Sequence, residues 1–143
     1  MNETVSTLKT SVDVRVRFSE VDSMNIVWHG AYALYFEDAR EAFGAAYGIG
    51  YLDIFAAGYY APLTDLRFSY RKPLTYGRTA RVDITYRHTD AAKILFDYEI
   101  FDTHDGARIA SGASTQVFLD KQYQLLWTNP PFYEAWQRKW GLV

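Results

Sequence analysis

The sequence predicts an α+β protein, one long helix placed ahead of an antiparallel β-sheet of five or so strands. Two patterns carry that expectation. Tyr32, Tyr35, Phe36, Ala39, Phe43 and Tyr47 recur at steps of three and four, the period of a helix with one apolar face. From residue 66 onward, four successive runs alternate apolar with polar side chains, the period of half-buried strands in an antiparallel meander. The 143 residues, 49% hydrophobic and 22% charged, suit a single domain spanning residues 1–143 with a substantial core.

Taken in order, residues 1–11 are polar and are expected to be frayed and flexible. Val12, Val14, Val16 and Phe18 alternate with Asp13, Arg15 and Arg17, which predicts a first strand. A polar loop follows, then the helix, which should stop at Gly48 and Gly50, where glycine supplies a C-cap. Gly48-Ile49-Gly50 is no dinucleotide-binding loop, because it closes a helix and the third glycine position holds Asp53. Residues 51–62 form an aromatic connector around Gly58. The four later strands centre on Leu66–Phe68–Tyr70, Ala80–Val82–Ile84–Tyr86, Ile94–Phe96–Tyr98–Ile100 and residues 109–119. Asp105-Gly106 marks a hairpin turn between the last two. Ser111, Gly112, Ala113 and Ser114 are small enough to let a helix lie close against the sheet. Residues 128–143 form a C-terminal tail with a short helix started by proline, in which Trp136 and Trp140 share a face.

Composition narrows the function classes. With no cysteine there is neither a disulfide framework nor a thiolate metal site. His29, His88 and His104 are too scattered for a metal cluster, so neither a metal nor another cofactor is expected. The formal net charge of −2 gives no general attraction to nucleic acid or to an anionic membrane. No run approaches the length of a membrane span, and the first residues lack the pattern of a signal peptide, so a cytoplasmic setting is expected. No Gly-x-Ser-x-Gly elbow or phosphate-binding loop is present.

Chemistry concentrates in residues 18–47. Asp22 and His29 lie just ahead of an aromatic-faced helix, whose N-terminal N–H groups and dipole favour a developing negative charge. A carboxylate is already ionised at neutral pH and can attack an activated carbonyl, or activate water, without prior deprotonation. N–H groups near Val27 to Gly30 could then hold an oxyanion. Glu20 reads as solvated or as a loop brace. Tyr32, Tyr35, Phe36, Tyr59 and Tyr60 are candidates for the walls of a substrate pocket, since such pockets are mostly apolar and aromatic.

The run Phe18-x-Glu20-x-Asp22-x-x-x-Ile26-Val27-x-His29-x-x-Tyr32-x-x-Tyr35-Phe36-Glu37-x-Ala39-Arg40 resembles the signature of the hotdog-fold 4-hydroxybenzoyl-CoA thioesterase family. It is most similar to the branch of short-chain acyl-CoA thioesterases associated with Tol-Pal. The resemblance extends to about residue 120. It implies a hotdog fold, a sheet curled around the long helix, and an enzyme that hydrolyses an acyl-CoA to a carboxylic acid and free CoA. The thioester could also be carried by acyl-carrier protein. Asp22 would be nucleophile or general base, and His29 would orient water, hydrogen-bond the thioester or support the loop, with Asn25, Val27, Gly30 and Gly58 supporting the loop or the oxyanion. The family usually has Gly where this chain has Asn25, a residue that tolerates left-handed backbone better than most. The resemblance also implies a homodimer or homotetramer with its site between subunits. Two rivals remain at this point: a non-catalytic acyl-CoA-binding module, and a dehydratase pairing His29 with an acidic residue such as Glu41, twelve positions on.

Overall fold

The computed structural model describes residues 7–143, so the expected fraying of residues 1–6 lies outside the described residues. In order, the elements are β1 (Lys9–Arg15), α1 (Tyr32–Tyr47), α2 (Tyr51–Ala56), β2 (Leu63–Tyr70), β3 (Thr79–Arg87), β4 (Lys93–Asp102), β5 (Arg108–Val117) and α3 (Pro131–Lys139). The five strands form one antiparallel sheet in the order β1-β3-β4-β5-β2. The α+β expectation is met, with a five-stranded sheet packed on a long helix. The meander is met only for β3, β4 and β5. β2 pairs with β5 at the far side from β3, because alternation tells which face of a strand is buried and not which strand lies beside it.

The first strand differs at both ends from its expected bounds. It starts at Lys9, so residues 9–11 are paired with β3 instead of frayed. It ends before Phe18, whose ring is 75% exposed and packs edge-on against Tyr76. The chain leaves the sheet because residues 18–20 turn into a short 3-10 helix, with the Glu20 carboxylate accepting from the Arg17 N–H. The aromatic connector contains a helix of its own, α2, which buries Ile54 and exposes Tyr51 and Leu52.

One core joins helix and sheet. Tyr32, Tyr35, Phe36, Ala39 and Phe43 are buried along one side of α1. They meet the inward residues of the sheet, including Val82, Ile84, Phe96, Tyr98 and Ile100. Phe36 stacks on Tyr98 at 4.1 Å and on Phe68 at 5.0 Å. Gly112 makes that approach possible, since a Cβ there would overlap both the Phe36 ring and the Arg67 carbonyl oxygen. Gly112→Ala is therefore expected to lower stability by about 1–3 kcal/mol, the usual effect of overpacking. Thermal melting would test this, and an unchanged midpoint would mean that helix and sheet separate freely. Helix α1 ends at Gly48, whose φ of 95° is open to glycine at little cost. Trp136 of α3 and Trp140, which caps that helix, both donate their indole N–H to the Tyr47 carbonyl, at 2.7 and 3.0 Å, so the tail seals the end of α1.

Candidate active site

The polar loop ahead of α1 folds into a small hairpin. Val21 bridges Val27, and the Asp22 N–H donates to the Ile26 carbonyl at 2.9 Å. Its tip turns at Asn25, which has a φ of 64° and whose N–H donates to the Asp22 carbonyl. Asn25 thus takes the left-handed conformation that glycine would otherwise supply. The Asp22 Oδ1 atom accepts from the Met24 N–H at 2.8 Å and from the Ile26 N–H at 3.3 Å. Its Oδ2 atom accepts no hydrogen bond among the described residues. The side chain is exposed in the isolated chain, held by one oxygen and free at the other. Capping the turn thus occupies one carboxylate oxygen and leaves the other without a partner among the described residues.

The N–H groups between Val27 and Gly30 divide into two sets. Val27 donates to the Leu74 carbonyl at 2.8 Å, and Trp28 donates to the Glu20 carbonyl at 3.0 Å. Val27 is therefore a fastening of the loop and has no N–H left for an oxyanion. His29 and Gly30 open the 3-10 turn that runs into α1, and their N–H groups find no acceptor among the described residues. Those two are the donors the helix start leaves available. The Trp28 ring lies across Gly30, where a Cβ would collide with it.

The His29 ring is exposed and sits edge-on to Trp28 at 5.6 Å. No ion pair or hydrogen bond joins it to Asp22, so the chain alone does not assemble an Asp–His dyad. Its carbonyl accepts from the Tyr70 hydroxyl at 3.0 Å, which ties the helix start to β2. Periodicity placed Tyr70 on a strand face and gave no sign of that bond. Tyr32 packs 5.2 Å from Tyr70, and burial, reinforced by Tyr70, pushes its phenol up to about 12.

Glu20 resolves as a brace, with only 4% of its surface exposed. Its Oε1 atom accepts from the Tyr35 hydroxyl at 2.8 Å and from the Arg17 N–H at 2.9 Å. Burial first, and then the bond to Glu20, hold the Tyr35 phenol far above its ordinary range. A buried tyrosine on an apolar helix face needs an acceptor, which was the available sequence signal for this pair.

The proposed pocket residues separate. Tyr59 and Tyr60 line a cavity of about 900 Å³ between the second half of α1, α2 and the start of β2. Phe43, Ile49, Ile54, Leu63 and Phe96 contribute to its apolar wall. Tyr32, Tyr35 and Phe36 do not reach it: they are enclosed in the core, because the sheet closes over the face of α1 that carries them. Gly58, with a φ of 101°, closes the turn after α2 and donates its N–H to the Phe55 carbonyl. That N–H is occupied, so Gly58 serves as a turn glycine within the chain. Among the described residues, no three His, Asp or Glu side chains are grouped to hold a metal ion, and no helix is long and apolar enough to cross a membrane.

Residues 16–138 match the family profile of the thioesterase-like superfamily. The chain belongs to that superfamily. Among its relatives is the "Putative acyl-CoA thioesterase YneP" of Bacillus subtilis, 32% identical over 110 residues covering 77% of this chain and 79% of that one. The chloroplastic acyl-acyl carrier protein thioesterase ATL3 of Arabidopsis thaliana is 28% identical over 113 residues, which cover 79% of this chain and 60% of ATL3. The crystal structure of the DHNA-CoA thioesterase of Staphylococcus aureus superposes with a TM-score of 0.81 at 25% identity, covering 94% of this chain and 92% of that one. The fold is the hotdog fold of these thioesterases, with α1 as the helix its sheet embraces, and the superfamily member is a thioester hydrolase.

Proposed function

We propose that this hydrolase cleaves acyl-CoA thioesters to a carboxylic acid and free CoA, with Asp22 as nucleophile or general base. The observation that carries the reading is the state of Asp22, whose one oxygen is fixed by two N–H groups while the other stands free. Just along the hairpin lie the unpaired N–H groups of His29 and Gly30, suited to the oxyanion of a tetrahedral intermediate. A thioester carbonyl is activated enough for a carboxylate to act on it directly or through water. The name of YneP supports CoA as the thiol, and that of ATL3 keeps a carrier-protein thioester as a second substrate form. The Asp22-to-His29 spacing supports a place in the short-chain acyl-CoA branch of the 4-hydroxybenzoyl-CoA thioesterase family.

The hydrolase works as a dimer. Asp22 and the 900 Å³ cavity share no lining residue, since the α1 residues of the cavity begin only at Glu37. Strand β2 pairs with β5 on one side and is a sheet edge on the other. A two-fold axis across the middle of β2 would add a second copy antiparallel and remove that edge. It would set Leu63, at the cavity of one copy, beside Tyr70, which touches the His29 carbonyl of the other. One subunit then supplies the carboxylate and the other the acyl pocket.

Two measurements test this. A panel of acyl-CoAs assayed for free thiol should show release, whereas a binding module would return its ligand unchanged and a dehydratase would alter the acyl group without freeing thiol. Light scattering at micromolar concentration should give at least the mass of a dimer. A monomer that hydrolyses at full rate would overturn the shared site.

A further inference from the structure

The Glu20–Tyr35 pair lies outside the reacting groups yet connects all the pieces that carry them. Glu20 donates its N–H to the Arg17 carbonyl at 2.9 Å, and its carbonyl accepts from the Trp28 N–H at 3.0 Å. Its Oε1 atom accepts from the Arg17 N–H and from the Tyr35 hydroxyl, and the Arg17 guanidinium stands 3.8 Å from Oε2. Both ends of the Asp22 hairpin are thereby fastened to one residue. Tyr35 sits in the first turn of α1, so the same carboxylate is also bound to the helix whose start presents the His29 and Gly30 N–H groups. An enclosed carboxylate is costly unless several donors meet it, and an apolar residue of similar volume often stabilises a fold equally well. A carboxylate here does what an apolar side chain could not: its Oε1 atom joins the strand exit to the helix, while the backbone carbonyl of the same residue fastens the hairpin.

We infer that the Glu20–Tyr35 hydrogen bond is the positioning device of the site, holding the Asp22 carboxylate in register with the N–H groups of His29 and Gly30. Neither residue touches substrate; both are positioning residues. Tyr35, offered by its aromatic character as a pocket wall, acts instead through its hydroxyl. The inference rests on the thioesterase reading for its catalytic consequence. The acyl group is held by the cavity walls of the other subunit and not by the hairpin, so a hairpin that shifts should lose turnover and keep its affinity for substrate.

Tyr35→Phe keeps the ring in the core and removes only the hydroxyl. Its kcat should fall on the order of 10–100-fold, with KM changed by about threefold or less. Amide hydrogen exchange at Trp28 should accelerate, while exchange at sheet residues such as Ile84 and Tyr98 should stay as in the parent. Glu20→Gln keeps an oxygen acceptor for the Tyr35 hydroxyl and should retain most of the turnover that Tyr35→Phe loses. A Tyr35→Phe protein with parental kcat would overturn the inference. So would exchange that accelerates equally in hairpin and sheet, which would mark the pair as general core packing. If the parent releases no thiol from any acyl-CoA, the thioesterase reading fails, and unchanged Trp28 exchange in Tyr35→Phe would still refute the clamp on its own.

Discussion

Asp22→Asn should lower kcat by about 10²–10⁴, the usual worth of a positioned general base, with the loss at least as large if Asp22 is the nucleophile. The substitution keeps an oxygen that can still accept from the Met24 and Ile26 N–H groups, so the hairpin and Asn25 turn should survive. What disappears is the negative charge on the free oxygen. The turnover loss should therefore come without a change in melting temperature or in dimer mass. Glu20→Gln is no neutral comparison, since Glu20 is enclosed and bonded to Tyr35. Asp90→Asn is suitable, because the Asp90 side chain is fully exposed in the turn between β3 and β4. His29→Ala should fall between the two, since its ring supports the site while its backbone N–H remains. Similar, small losses for Asp22→Asn and Asp90→Asn in folded dimers would remove Asp22 from the mechanism.

Phe43→Ala should destabilise the fold by about 3–5 kcal/mol. Phe43 is fully buried, with Tyr47 at 4.6 Å, Phe96 at 4.8 Å, Tyr86 at 6.3 Å and Trp136 at 6.4 Å between ring centroids. These neighbours belong to α1, β3, β4 and α3, so no single movement closes the space left behind. The urea midpoint should drop by roughly 2 M at the slope typical of small proteins. Leu34, half exposed on the opposite side of the same helix, gives the contrast. Leu34→Ala should stay within about 0.5 kcal/mol of the parent, as surface substitutions usually do. Equal midpoints for Phe43→Ala and Leu34→Ala would mean that α1 does not pack through its aromatic face.

Helix α1 was legible residue for residue, from Tyr32 to Tyr47, because a helix periodicity is written in neighbours three and four apart and its end is marked by Gly48. The inward faces of β3 and β4 and the turn at Asp105-Gly106 were legible for the same reason, as local patterns with local causes. The turn at Asn25 was signalled only by the family resemblance, which has Gly at that position, and Asn25 takes the left-handed conformation there. Tertiary structure decided the rest. It placed β2 beside β5 and occupied the Val27 and Gly58 N–H groups. It also set both tail tryptophans on the Tyr47 carbonyl, across more than eighty residues of chain. None of these follows from periodicity, which gives the side of an element that turns inward and says nothing of what stands there. A hydrogen bond between Glu20 and Tyr35 depends on where two elements cross, and that crossing exists only once the sheet has closed around the helix.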